Sequence, residues 1–295
     1  MISQLGDLVG RGSDGDIYSL RKNKIIKFIS KDKINFLELF ILLHLNSNYL
    51  MKALQVEIGE TNIKIVQNKA KYDLGQLISF RYEESYFTFA EKIKYIRQAI
   101  TGVYFLNLHN LIHGDIKPQN ILVFNNFIKL NDFNLTRDCK FSNSNRKLYT
   151  LNYRPPESNN YKYSLKSDIW ALGCTIYEIY YGKKYFLSDN KGKLFHLACT
   201  EERKKENHFI NKIVKEMIKE NEEERIDIEK VIEYFTIKKL EPNYKLKLKN
   251  DFPYKDNKKF IEILYLKDKI IKDIDKKIMD QIINKYNFSI FELIK

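Results

Sequence analysis

The segment His113-Gly114-Asp115-Ile116-Lys117-Pro118-Gln119-Asn120, followed twelve residues later by Asp132-Phe133-Asn134, constrains this chain more than any other feature. An Asp, a Lys and an Asn at this spacing, with a second Asp downstream, supply the groups of a phosphoryl-transfer site. In that chemistry Asp115 orients a hydroxyl nucleophile and Lys117 neutralises the moving phosphoryl group. Asn120 and Asp132 hold a divalent metal against nucleotide phosphates. Pro118 fixes its own φ and restricts Lys117 to extended backbone, which stiffens the loop. Ile121–Phe124 reads as a short strand, Asn125-Asn126 as its turn and Phe127–Leu130 as the return strand. The acidic groups therefore sit on loops flanking a small hairpin, a rigid scaffold with loop-borne chemistry.

Upstream, Gly10, Gly12 and Gly15 form a Gly-x-Gly-x-x-Gly pattern. Dinucleotide sites share it, but there the last glycine opens a long helix. Here residues 16–21 alternate and residues 24–29 follow, which reads as strand, turn, strand. A glycine-rich hairpin can close over phosphates because its backbone meets no Cβ obstruction. Lys27, between Ile26 and Phe28, needs a partner or exposure, whereas Lys24 and Lys31 read as solvated. Glu38 opens a helical, mostly apolar run over residues 38–45, where a lone acid is costly unless paired. Residues 56–59 and 62–67 read as two further strands. Residues 87–108 have a helical period that turns Phe89, Ile93, Ile96, Ile100, Val103 and Leu106 inward. His109, just after it, reads as a packing residue. Residues 168–181 read as a second apolar helix with Trp170, Leu172, Ile176 and Ile179 inward, ended by Gly182.

In order from about Leu8 to about Phe235, these motifs resemble the eukaryotic-type protein kinase family, serine/threonine branch. His113-Gly114-Asp115 matches the motif that usually reads His-Arg-Asp, and Asp132-Phe133-Asn134 the one that usually reads Asp-Phe-Gly. Arg154-Pro155-Pro156-Glu157 matches the closing segment that usually ends Ala-Pro-Glu. The resemblance implies an α+β, two-lobed fold. Residues 1–70 would form a small antiparallel sheet lobe with one helix, and residues 71–235 a larger, mainly helical lobe. Residues 236–295 are left as a lysine-rich extension. It implies ATP with Mg2+ (Mn2+ as a substitute) and protein substrates bearing serine or threonine acceptors.

By the same resemblance Gly10, Gly12 and Gly15 cover the nucleotide, and Val9, Ile17 and Leu122 wall the adenine. Lys27 pairs with the α- and β-phosphates and Glu38 orients it. Gln67 guards the back of the adenine pocket, residues 68–71 link the lobes, and Asp73 lies near the ribose. His113 braces backbone carbonyls, Thr150 bonds Asp115 and Lys117, Glu157 pairs with Arg225, and Asp168 braces the catalytic loop. Lys117-Pro118-x-Asn120 and the small hydroxyl of Thr150 are similar to the serine/threonine branch. Small-molecule kinases of the antibiotic and choline type share the His-Gly-Asp start and a later metal-binding Asp. They lack the Pro-Pro-Glu closure and the Asp168-Ile169-Trp170-Ala171-Leu172-Gly173 helix.

Two residues depart from the family pattern. Gly114 stands where an arginine usually binds a phosphate on the activation loop, so a phosphorylation switch there lacks its main cation. This implies an enzyme competent without modification of Ser142, Ser144 or Thr150, unless Arg137 with Arg146 and Lys147 supplies the charge. Asn134 replaces a glycine, and Asn tolerates left-handed backbone better than most residues. Lys27, Glu38, Asp115, Lys117, Asn120 and Asp132 are all present. A scaffold of this fold without catalysis usually loses one of them; a nucleotide-binding or protein-interaction pseudokinase is the alternative reading.

The formal charge of +13 attracts anions, but the lysines are spread through the whole chain as coding bias toward A and T would spread them. Specific nucleic-acid recognition is not expected. Cys139, Cys174 and Cys199 lack metal spacing and fit a reducing, intracellular and cytoplasmic setting. No apolar run is long enough to predict a membrane span, and the start does not read as a signal peptide. Composition, compactness and Gly114 resemble kinases of large double-stranded DNA viruses, which would place the protein in host cytoplasm or virion. Protists and intracellular bacteria with A+T-rich genomes are the other source. Residues 260–286 carry an apolar helical stripe from Ile263 to Ile283. It suits docking on its own domain, a homodimer, a regulatory partner or a membrane surface.

Overall fold

Short apolar runs separated by turn formers make strands in the first quarter of the chain, and longer runs of helical period make helices beyond it. The computed structural model describes residues 5–11, 15–83, 87–125, 127–141, 148–188, 194–196 and 209–237. Two compact units result. The first takes the described residues of 1–46 and 52–69; the second takes 47–51 and the described residues from 70 to 237. Gly12, Ser142, Ser144, Arg146, Lys147, Cys199 and the apolar stripe of residues 260–286 lie outside the described residues.

Unit one is a five-stranded antiparallel sheet with one helix. Its strands are β1 (Leu5–Arg11), β2 (Gly15–Leu20), β3 (Lys24–Ser30), β4 (Gln55–Ile58) and β5 (Asn62–Asn68), in the order β1-β2-β3-β5-β4. Lys22 and Asn23 turn β2 into β3 with left-handed backbone, φ 61° and 54°. The register sets Lys27 opposite Ile17 on one side and Ile65 on the other. Helix α1 (Phe36–His44) starts two residues before the apolar run that begins at Glu38. The cause is Asn35, whose side chain accepts from the Leu37 N–H and caps the first turn. Leu39, Ile41 and Leu42 are buried.

Unit two is built on two helices. Thr88 and Glu91 form a reciprocal capping box at the start of α3 (Phe89–Leu108). Ile93, Ile96, Ile100, Val103 and Leu106 are buried, but Phe89 is 40% exposed. Phe89 falls in the first turn, where its ring meets Tyr180 and Phe209 with centroids 6.2 and 6.5 Å apart rather than entering the core. Helix α4 (Leu165–Tyr181) begins three residues before Asp168 because Ser164 caps it, and Gly182 ends it at φ 71°. Trp170 is buried and stacks on Phe186 at 5.3 Å. The smaller helices α2 (Leu74–Glu83), α5 (Phe209–Met217) and α6 (Ile228–Ile237) complete this unit. Thr236 and Ile237, expected to begin the extension, form the last turn of α6; the Thr236 hydroxyl bonds the Ile232 carbonyl.

Three short strands carry the chemistry-bearing loops. β6 (Tyr72–Asp73), β8 (Ile121–Phe124) and β9 (Phe127–Leu130) form one sheet, with β8 central. Gln98 of α3 accepts from the Ile128 N–H, pinning the hairpin to the main helix. β7 (Leu111–Ile112) pairs with β10 (Arg137–Asp138), which returns the segment after Asp132 to the segment before His113. β11 (Phe186–Ser188) pairs with β12 (Leu194–His196). No described helix is long and apolar enough to cross a membrane.

Candidate active site

In unit one, β1 and β2 present the glycine-rich hairpin. A Cβ on Gly15 would stand 1.7 Å from the Phe28 carbonyl oxygen, so the close approach of β2 to β3 demands glycine. A Cβ on Gly10 would meet nothing within 4 Å; the missing side chain leaves open backbone surface there. Val9 is 49% exposed and Ile17 half-buried, so both keep apolar surface uncovered by the sheet. The Lys27 ammonium lies 3.0 Å from a Glu38 carboxylate oxygen, with the side chains 15% and 4% exposed. Glu38 sits in the first turn of α1, where the helix dipole favours its charge. Gln67 is buried on β5, and its Nε2 has no hydrogen-bond partner among the described residues. A buried amide donor left unmet costs about 1–3 kcal/mol, which suits a site where a ligand acceptor arrives.

In unit two, Asp115 is the hub. Its Oδ1 accepts from the Thr150 backbone N–H and hydroxyl, both at 2.9 Å. Its Oδ2 accepts from Lys117 Nζ at 2.6 Å and Asn120 Nδ2 at 2.9 Å. Lys117 also donates to the Thr150 hydroxyl at 2.6 Å. Burial alone would raise the Asp115 carboxyl, but the hydrogen bond and charge of Lys117, aided by Thr150, hold it below its ordinary value. It is therefore an oriented carboxylate at neutral pH.

The Asn120 Nδ2 is committed to Asp115, with a second bond to its backbone carbonyl at 2.8 Å. That commitment aims Oδ1 away as an acceptor. The Asn120 carbonyl receives the N–H of Asn131 at 2.9 Å, which draws Asn120 to the residue just before Asp132. Asp132 is left-handed, φ 63°. Asn134, whose side chain would tolerate such backbone, sits in a tight turn over Phe133–Leu135 with no positive φ. Phe133 is buried under this turn, with its ring 5.4 Å from His113.

Two carbonyl or carboxylate oxygens suit a hard cation that takes its remaining ligands from phosphates and water. Among the described residues no cluster of three or more His, Cys, Asp or Glu could cage a metal alone. The Asn120 and Asp132 oxygens fit a divalent cation that takes its other ligands from phosphates and water.

The framework behind the loop is made by His113, Asp168 and their neighbours. The Asp115 N–H donates to His113 Nδ1 at 3.3 Å, so the hydrogen is on Nε2, which faces the Asn131 carbonyl at 3.1 Å. His113 thereby braces the segment leading to Asp132. Asp168 is fully buried and accepts from the N–H groups of His113 (2.7 Å) and Gly114 (3.2 Å). Burial raises its carboxyl despite these bonds. Gly114 is left-handed at φ 82°. Asp73 caps α2 by exchanging bonds with Gln76, and its strand register sets it opposite Leu122. The two predicted nucleotide contacts of unit two thus lie side by side. His109 is structural: its Nδ1 bonds the Phe105 carbonyl at 2.8 Å. Arg225 grips Glu157 with two bonds of 2.6 and 2.7 Å. Tyr149, not singled out from the sequence, is buried with its hydroxyl 2.8 Å from Asp168. No spacing rule points to a tyrosine there.

Known proteins are similar to this chain over most of its length. The chain is 25% identical over 259 residues to a probable cell division protein kinase of Encephalitozoon cuniculi, covering 78% of this chain and 95% of that one. It is 30% identical over 212 residues to an Aurora kinase of Debaryomyces hansenii, 65% of this chain and 50% of that one. Against the dual specificity protein kinase Ttk of Danio rerio it is 26% identical over 205 residues, 61% of this chain and 21% of that one. The chain thus spans half or less of these two longer relatives. The family model for the protein kinase domain matches residues 3–235, most of the sequence, and the chain belongs to that family.

Proposed function

We propose that this protein transfers the γ-phosphate of ATP to serine or threonine hydroxyls of protein substrates. The observation that carries the reading is Asp115, an ionised carboxylate whose two oxygens are fixed by Lys117, Asn120 and Thr150. A carboxylate held below its ordinary value is a weak base, so its work is to orient the acceptor hydroxyl and take the proton late. Lys117, already beside Asp115, places positive charge where the phosphoryl group moves. Lys27, oriented by Glu38, holds the α- and β-phosphates. Gly10, Gly12 and Gly15 cover the nucleotide, with Val9, Ile17 and Leu122 against the adenine, Gln67 at its back and Asp73 toward the ribose. Asn120 and Asp132 hold Mg2+, with Mn2+ as a substitute. When bound, the cation neutralises charge on the phosphate oxygens.

The test is purified protein with radiolabelled ATP, Mg2+ and a mixed protein substrate, followed by phosphoamino-acid analysis. Phosphoserine or phosphothreonine is expected. Asp115→Asn should bind ATP as before but lose kcat by about 10²–10⁴-fold, the range of a positioned acid–base group. ATP binding with no transfer to any protein, itself included, would favour the pseudokinase scaffold; phosphotyrosine alone would overturn the branch.

Gly114 supports activity without activation-loop phosphorylation, so phosphatase treatment should leave turnover unchanged. The free Cys139 and Cys174 support a reducing, intracellular setting, with host cytoplasm or virion following if the source is viral. The viral reading rests on composition, compactness and Gly114. Residues 238–295 are the proposed route to a homodimer or regulatory partner, testable by their removal and light scattering.

A further inference from the structure

Tyr149 brackets Gly114 from both sides. Its backbone N–H donates to the Gly114 carbonyl at 2.9 Å. Its phenol donates at 2.8 Å to Asp168 Oδ1, the same oxygen that receives the Gly114 N–H. Tyr149 holds φ 63°, a backbone a bulky residue keeps only where its surroundings enforce it. Those surroundings are visible. Arg154 places Nε and Nη2 on the Tyr149 carbonyl at 3.1 and 2.9 Å, and Nε on the Leu148 carbonyl at 3.1 Å. The Leu148 N–H in turn donates to the Tyr163 hydroxyl at 2.8 Å. Residue 150 is then delivered with both its N–H and its hydroxyl on Asp115.

We propose that Tyr149 is a positioning residue for phosphoryl transfer. Its phenol ties the end of the activation segment to Asp168, and so sets the grip of Thr150 on Asp115. The bonds of Tyr149 to Gly114 and Asp168 use uncharged donors and one buried carboxylate, and they close around the position that lacks arginine. This inference rests on the kinase reading above. Tyr149 touches neither substrate nor nucleotide in the proposal; it acts through Thr150 and through the backbone of residues 113–114.

The experiment compares wild type, Tyr149→Phe, Thr150→Val and the double variant in steady-state kinetics, with melting curves and active-site titration of nucleotide. Tyr149→Phe keeps the ring and removes one oxygen. Expected is a fall in kcat of about ten-fold, the size of one hydrogen bond to a charged group, with KM for ATP unchanged. The double variant should lose no more than the worse single one, because both act on the same contact with Asp115. A purely structural tyrosine would lower the melting temperature and leave kcat per titrated site intact. Wild-type kcat in Tyr149→Phe, or losses that multiply, would overturn the clasp and leave the kinase reading standing. No transfer by wild type would overturn both. Hydrogen exchange on phosphatase-treated wild type reads the clasp without any variant. Residues 148–154 should exchange as slowly as 113–120, and fast exchange confined to 148–154 would overturn the proposal.

Discussion

Arg225 is fully buried, and all five of its N–H groups are used. Nε donates to the Lys219 carbonyl at 2.7 Å. Nη1 donates to Glu157 at 2.7 Å and to the Lys166 carbonyl at 3.1 Å. Nη2 donates to Glu157 at 2.6 Å and to the Glu220 carbonyl at 3.2 Å. The guanidinium also lies 5.1 Å from the Trp170 ring. Glu157→Ala would leave this cation buried among carbonyls with no counter-charge. The side chains are 0% and 13% exposed, so the surface-pair value of about 0–1 kcal/mol does not apply. Breaking a buried pair costs about 3–5 kcal/mol. At about 2–4 °C per kcal/mol for a domain of this size, the melting temperature should fall by roughly 6–20 °C. Replacing both partners by apolar residues, Glu157→Leu with Arg225→Met, should cost less than Glu157→Ala, because no buried charge is stranded. Thermal melts read both, with urea midpoints as a check on two-state behaviour. A shift under about 2 °C for Glu157→Ala would mean the pair is solvated in solution, and the reasoning from burial would be wrong.

Three further outcomes follow from the same geometry. Gly114→Arg should not restore a phosphate switch. At φ 82° a side chain costs about 1–2 kcal/mol, and the new Cβ would sit 2.9 Å from the Leu135 carbonyl oxygen; wild-type melting in this variant would refute the strain. Asp132→Ala should abolish Mg2+-dependent turnover, while the melt of the metal-free protein should fall by no more than the about 1–2 kcal/mol that alanine costs at φ 63°. Because the Asp115 carboxyl is lowered in the folded protein, its stabilisation is complete above the ordinary value near ~3.9 and is lost as pH falls through the folded one. The gap in urea midpoint between wild type and Asp115→Asn should therefore hold from neutral pH to about pH 5 and close only below ~4. Closure between pH 5 and 7 would show that Lys117 does not hold that proton off.

The parts legible in the sequence are those where one residue type answers one local demand. The β8–β9 hairpin, with Phe124 opposite Phe127, follows from two short apolar runs separated by Asn125-Asn126. The pairing of Lys27 with Glu38 follows from two charges stranded on apolar elements. Helix starts were less legible. The apolar run in α1 begins at Glu38, but the capping group is Asn35, and Ser164 similarly starts α4 before its apolar face begins. Phe89 matched the period of α3 yet lies at its exposed end, because periodicity reports a face and not how far the core extends along it. Asp132 and Asn134 show the deepest limit. The tolerance of asparagine for left-handed backbone does not say which residue uses it: the positive φ falls at Asp132, and Asn134 has none. Tyr149 carries no signal, since the groups that hold it, the Arg154 guanidinium and the Asp168 carboxylate, meet it only in the fold.

Position 114 shows how a substitution can be misjudged by its side chain alone. Read as a lost arginine, it removes a cation from the loop. Read in the fold, it is a backbone site. Its N–H serves Asp168, its carbonyl takes the Tyr149 N–H, and its Cβ direction is blocked by the Leu135 backbone. Glycine enters the left-handed region without the penalty other residues meet, so it fits position 114 at φ 82° without strain. The missing charge and the relaxed backbone therefore act on different quantities. One bears on whether a loop phosphate has anything to bind, the other on how firmly Asp115 is presented. Residue 114 is tied on both sides by uncharged bonds, and Asp115 beside it is oriented by Lys117, Asn120 and Thr150.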